Sequence, residues 1–159
     1  MFGLKTKQTM QSFWQPRLEG MFSGKNEPGW DALKASFHDP ALNDAPSGVF
    51  YAHMQAMTIQ IVSMVITKSC SMETAIASHL FVDNFLESNN RKDVGDLVQK
   101  YNSAFGSSST DGIQKMAELF SAEIADSHLA PQTVAGFHET LYGLVQPISV
   151  LLGKVKLVE

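Results

Sequence analysis

The stretch MQAMTIQIVSMVITKSC, residues 54–70, is the most apolar part of the chain, and it decides the fold. Wrapped at about 100° per residue, its methionines, valines and isoleucines cover most of the circumference of a helix. A helix that is apolar nearly all round is usually buried among other helices. A membrane-spanning helix needs about 20 mostly apolar residues, whereas this run contains Gln55, Gln60 and Ser63 and meets Lys68. The stretch therefore predicts the central helix of a bundle, with no transmembrane segment.

Apolar residues recur at helical spacing in four further segments after residue 70. Ser71 is a favourable N-cap for the first of them, and Gly106 suits the C-cap of the second. In the first segment, Met72, Ile76 and Leu80, and then Phe85 or Leu86, predict the face that packs on the core. Together with the central helix, these segments predict an all-α fold, a helical bundle of about five main helices over residues 46–159.

The first 45 residues differ from the rest in composition. They hold both tryptophans, Trp14 and Trp30, and much of the proline and glycine. We expect residues 1–45 to form an aromatic-rich N-terminal arm whose short helices pack on the bundle. Strand signals are nearly absent, because only KVKLVE, residues 154–159, alternates, and it continues a helical pattern equally well.

The composition narrows the functional classes. With 44% hydrophobic and 18% charged residues, the 159-residue chain is typical of a packed domain. Its net charge of −4 disfavours general binding of nucleic acid, which needs a basic surface. The single cysteine, Cys70, excludes an internal disulfide and a cysteine-rich zinc site. Polar residues interrupt the start of the chain, so we expect no secretory signal and a cytoplasmic protein.

The sequence contains no recognised catalytic or metal-binding motif. Glu-x-x-His and His-x-x-x-His pairs, which place two ligands on one helical face, do not occur. Neither do G-x-S-x-G or the glycine-rich phosphate motifs. Cys70 lies near Lys68 and a predicted helix N-terminus, which would lower the pKa of its thiol, but a small side chain at a helix junction is the simpler interpretation. We expect no enzyme and no metal site.

The C-terminal segment offers a candidate contact surface. Four of its apolar side chains keep a heptad-like spacing: Leu141, Leu144, Ile148 and Leu151. A second stripe, Gly136, Thr140, Gly143 and Pro147, would let another helix approach closely. Pro147 also predicts a kink or a break. We expect a small interaction or regulatory protein that acts through helix-face association, as a homodimer or with another helical protein.

A first alternative is a ligand or haem pocket inside the bundle. His53 and His79, on separate helices, would hold a haem iron between them in a globin-like domain. Met57 and Met64 would line such a pocket. Methionine-rich helices also form adaptable binding grooves, although filling gaps in the core is the simpler interpretation. Haem is the cofactor that this alternative implies, whereas the main hypothesis needs none.

A second alternative is peripheral binding to a lipid or polymer surface. The N-terminal segment carries Lys5 and Lys7, and Phe13 and Trp14 share a helical face. Basic charge beside aromatic anchors is how an amphipathic helix binds an anionic interface. The competing interpretation is that these aromatic side chains cover the core.

Overall fold

The computed structural model describes residues 3–104, 109–125 and 128–158. These residues are mostly helical, so the all-α fold class is confirmed. In chain order the elements are β1 (Thr6–Thr9), α1 (Met10–Phe22), α2 (Glu27–Ser36), α3 (Pro40–Asp44), α4 (Ser47–Ser69), α5 (Met72–Ser88), α6 (Lys92–Asn102), α7 (Ser109–Ile124), α8 (Pro131–Tyr142), α9 (Val145–Lys154) and β2 (Val155–Val158). Gly106, the expected C-cap after α6, lies outside the described residues.

Helix α4 is the centre of the molecule. It packs against α2 and against each of α5, α6, α7, α8 and α9. Its length and composition would also allow it to cross a membrane, but 83% of its most apolar window is buried inside the fold. Met54, Met57 and Met64 are buried among these neighbours and fill the core. The apolar circumference seen in the sequence therefore corresponds to helix contacts on every side.

The start of α5 follows the sequence closely, but its buried face does not. Ser71 is the N-cap, since its side chain accepts a hydrogen bond from the Thr74 backbone N–H at 3.2 Å. The core-facing side chains of α5 are Ala75, Ser78, Val82 and Leu86. Met72, Ile76 and Leu80, which the periodicity assigned to the core, are 79%, 54% and 57% exposed. That assignment was wrong.

Helix α1 explains why the smaller side chains of α5 face the core. The Trp14 side chain is buried, and its indole Nε1–H donates a hydrogen bond to Ser78 Oγ at 2.7 Å. A small residue on α5 is required where so large a ring packs, and the hydroxyl satisfies the indole N–H, which would be costly to bury without a partner. From apolar spacing alone, the stripe with the larger side chains, Met72, Ile76 and Leu80, is expected to face the core.

The chain ends form a short sheet that the sequence did not predict. Strands β1 and β2 pair in parallel, from Thr6 opposite Val155 to Thr9 opposite Val158. Val155 and Leu157 are buried while Lys156 between them is exposed, which is the alternation of a half-buried strand. Residues 155–158 therefore leave the helical pattern, because a distant segment supplies the backbone partner that a strand needs.

The C-terminal segment divides into two helices. Helix α8 ends at Tyr142 and α9 begins at Val145, so the chain breaks just before Pro147, as expected. The space above Gly136 is occupied by the Phe37 ring, which stacks on Phe137 with ring centroids 4.5 Å apart. The stripe of small residues thus receives an aromatic side chain from the same chain.

The N-terminal 45 residues share one hydrophobic core with the rest of the chain. Phe13, Trp14 and Leu18 of α1 belong to the same buried cluster as α4 and Leu157 of β2. Asp39 ties this segment to α8, because its carboxylate accepts hydrogen bonds from the Ala130 N–H at 2.9 Å and from Thr133 Oγ1 at 2.7 Å. The same carboxylate caps α3 at its N-terminus.

We expect Gly136→Ala to destabilise the protein by about 1–3 kcal/mol, because the new methyl group would overlap the Phe37 ring in a packed region. Gly20→Ala is the control, since nothing lies near its added methyl group, and it should change stability by less than about 1 kcal/mol. Chemical denaturation measures both. In a Phe37→Ala background the Gly136→Ala penalty should disappear; an unchanged penalty there would contradict the packing.

Asp39→Ala should cost at least about 2 kcal/mol, because it removes a helix cap and the acceptor for α8. Burial raises the pKa of the Asp39 carboxyl, but hydrogen bonds from Thr133 and from the Ala130, Leu42 and Ala41 backbone N–H groups together outweigh it and lower this pKa. Its contribution is therefore complete above the carboxyl pKa of the unfolded chain and is lost as the pH falls through the lower folded pKa. Thr133→Val removes one donor and should cost less. Equal losses of unfolding free energy in Asp39→Ala and Thr133→Val, measured by denaturation, would contradict this account.

Candidate functional site

The exposed apolar stripe of α5 is the strongest candidate for a functional surface. The α5 stripe consists of Met72, Ile76 and Leu80, spaced four residues apart. This spacing keeps the three side chains on one side of the helix and extends them over about 12 Å. Scattered exposed apolar residues need no explanation, but a continuous row on one helix face is typical of an interaction surface.

The two ends of the α5 stripe carry opposite charge. Lys68 is exposed in the last turn of α4, just before the Cys70–Ser71 turn that leads into α5, and the exposed Lys5 is close enough to act electrostatically on Cys70. At the other end, Asp83 and Glu87 continue along the exposed side of α5. Glu73, exposed in the first turn of α5, offsets one of the two lysines. The surface therefore runs from an end with a net positive charge through an apolar centre to an acidic end.

A cleft of about 550 Å³ adjoins the acidic end. It lies between α5 and α6, and Leu86 contributes to its wall. Three carboxylates and one amine line it, from Asp83, Glu87, Asp96 and Lys92. The excess of carboxylates gives this cleft a negative character that suits a cationic side chain.

The C-terminal contact residues are not presented as one surface. Leu141 is fully buried in the core. Leu144, Ile148 and Leu151 are half-buried and pack against that core. Since α8 and α9 are separate helices, their heptad-like spacing does not form a continuous stripe. Leu141 has no surface to offer to a partner.

The residues expected to bind a ligand are separated. His53 lies in the core, where its Nδ1 is 2.6 Å from the Tyr101 hydroxyl and its ring packs edge-on against Phe120. Met57 is also a core residue. His79 lies half-buried on α5, beside the Ser78 that bonds to α1, and no described contact joins it to His53. His53 is thus bonded to Tyr101 in the core, and a haem site built on His53 and His79 stays a prediction.

The His53–Tyr101 pair is held in its neutral form. Burial lowers the pKa of His53 to about 4, with Glu123 opposing and Lys100 adding to the effect. Burial also raises the pKa of Tyr101, and the negative charge of Glu123 acts in the same direction. Both groups are thus uncharged at neutral pH, so this pair acts as a structural hydrogen bond between α4 and α6.

The residues proposed for surface binding differ in exposure. Lys5 and Lys7 are exposed, but Phe13 and Trp14 are fully buried beneath α5 and its neighbours. An interfacial helix needs its aromatic side chains available to the membrane. In this structure they fill the core, which agrees with the competing interpretation.

The metal and thiol candidates have equally little support. Among the described residues, no group of three His, Cys, Asp or Glu side chains is arranged to hold a metal ion. This includes a second cleft, between α7 and α8, that His128 and His138 line with Glu118 and Glu139. Burial raises the pKa of the half-buried Cys70 thiol, although Lys5 opposes the shift. The thiol is therefore not activated.

The sequence predicted the α5 stripe, but as a face that packs on the core. The signal that would have corrected this is a second stripe on α5, in which Ala75, Ser78, Val82 and Leu86 also recur at helical spacing. No family model, curated protein or solved structure matches this chain. The function must therefore be inferred from the geometry of this surface.

Stability should decline as the pH falls from 6.5 to about 4, because the unfolded chain protonates His53 in that range while the folded protein does not. The pKa difference corresponds to roughly 3 kcal/mol. In His53→Gln this part of the pH dependence should disappear, as measured by denaturation at several pH values. Tyr101→Phe should lower stability by about 1–3 kcal/mol but keep the pH dependence. An unchanged pH slope in His53→Gln would contradict the buried neutral histidine.

Proposed function

We propose that this protein is a small, non-enzymatic interaction or regulatory protein that acts, in the cytoplasm, through association of a helix face. The observation that carries this proposal is the α5 stripe. Met72, Ile76 and Leu80 stay exposed although the opposite face of the same helix is packed into the core. Full burial of an exposed side chain of this size contributes about 1.5–3 kcal/mol, and a partner helix would recover the part of it that corresponds to the exposed area of each of the three.

In this proposal, residues 46–159 supply the bundle and the aromatic N-terminal segment braces it. The bracing supports the function directly, because Trp14 occupies the inner side of α5 through Ser78. With that side taken, the row of Met72, Ile76 and Leu80 stays exposed among the residues that the structure describes, and a partner can cover it. Helix-in-groove and helix-on-helix contacts use this i, i+4 spacing.

The experiment is a measurement of mass against concentration, by sedimentation and by chromatography with light scattering. We expect the mass to rise above the 17.4 kDa of one chain as the concentration increases to the millimolar range. The double variant Ile76→Gln/Leu80→Gln should remain monomeric. Its thermal stability should change little, since both side chains are on the surface.

The matched control replaces two apolar residues that are similarly exposed on other helices, Val49→Gln/Val150→Gln, and should associate like the wild type. If this control abolished association while the α5 variant retained it, the contact surface would lie elsewhere. A wild-type protein that stayed monomeric throughout would refute self-association.

A further inference from the structure

We propose that the partner of the α5 stripe is a second copy of this chain, bound antiparallel about a two-fold axis near Ile76, with Lys68 of each copy opposite Asp83 of the other. This inference rests on the proposed function and names the partner and the geometry. It follows from the order of side chains on the surface, which is basic, then apolar, then acidic.

Antiparallel pairing matches the apolar residues to one another. With Ile76 on the axis, Met72 of one copy meets Leu80 of the other, and the two Ile76 side chains meet each other. An arrangement of this kind uses one patch twice, as two-fold symmetry requires. The row of about 12 Å is then covered along its whole length by the same row of the second copy.

The charges select this orientation over the parallel one. Asp83 lies about 10 Å beyond Ile76 along α5, and Lys68 lies at the opposite end, just before the α4–α5 connection. Antiparallel pairing therefore brings each basic end to an acidic end. Parallel pairing would bring Lys68 to Lys68 and Asp83 to Asp83, and like charges in contact oppose association.

The cleft beside Asp83 gives the basic end of the second copy a place to bind. Its carboxylates come from Asp83 and Glu87 on α5 and from Asp96 on α6. The volume of about 550 Å³ is more than a lysine side chain fills. At the matching end of the α5 stripe on the other copy, the exposed amines are Lys68, which precedes the turn into α5, and Lys5, which acts electrostatically on Cys70 in that turn.

The size of the surface predicts a weak dimer. A stable interface buries about 800 Å² on each partner, and three apolar side chains with their flanking charges provide less than that. We therefore expect a dissociation constant in the micromolar range or above, and an association that weakens with added salt because the flanking pairs are exposed.

The test exchanges the charges at the two ends. In a dimer of the Lys68→Glu variant, or of the Asp83→Lys variant, both symmetry-related attractions become repulsions. Each variant alone should therefore self-associate at least about tenfold more weakly than the wild type. In an equimolar mixture, the glutamate introduced into the first variant would meet the lysine introduced into the second. The Asp83 that the first variant retains would likewise meet the Lys68 that the second retains. The mixture should therefore associate like the wild type, as measured by sedimentation.

Lys115→Glu on α7 is the control for net charge, and it should not change association. Unchanged thermal unfolding would show that the surface variants fold. If both charge variants associated like the wild type while Ile76→Gln/Leu80→Gln did not, the orientation proposed here would be wrong and the interaction function would stand. A wild-type protein that never associates would overturn the second copy as the partner of the α5 stripe, and the interaction function would then require another helical protein.

Discussion

Burial of α4 on every side is the constraint on which the rest of the structure depends. A helix of 23 residues with no polar face needs neighbours all around it, and six other helices supply them. Its few polar side chains then become anchors, because a buried polar group without a partner costs about 1–3 kcal/mol. His53 bonds to Tyr101, Gln60 donates to Asn102 Oδ1 at 3.0 Å, and Gln55 accepts from Arg91 Nη2 at 3.0 Å. Each of these contacts sets the position of α6 or of the turn before it.

The N-terminal segment completes this core by placing aromatic rings over small residues. Trp14 packs where α5 presents Ser78, and Phe37 packs where α8 presents Gly136. Strand β1 then pairs with β2, which joins the two ends of the chain. These contacts have a common consequence for function. Since large rings from the N-terminal segment occupy the inner sides of α5 and α8, Met72, Ile76 and Leu80 of α5 remain on the surface.

The surface that remains is polarised along one helix. Its apolar centre provides attraction without direction, while the basic and acidic ends distinguish one orientation from the other. Lys68 comes from the last turn of α4, so the buried helix and the exposed surface are connected through a single short turn, Cys70–Ser71. A partner bound to α5 would therefore contact the end of the helix that organises the core.

Most of the helices could be predicted from the sequence, and the candidate site could not. The apolar run of α4, the Ser71 cap and the break before Pro147 are local features, and local patterns are sufficient to predict them. The outward face of α5 depends on Trp14, which lies 64 positions from Ser78 in the chain. Leu141 and Leu144 illustrate the same limit, because their spacing is heptad-like although one is core and the other is half-buried.

The sequence by itself determined the all-α class and the identity of the central helix, because an apolar circumference leaves a helix no alternative to burial. Only the tertiary structure decided which of the two apolar stripes on α5 faces the core. Periodicity indicates that a helix has an apolar stripe. The volume of the aromatic ring that packs against the helix determines which of two such stripes is buried. The tertiary structure likewise decided that residues 155–158 form a strand, since a strand exists only where another segment supplies its hydrogen bonds.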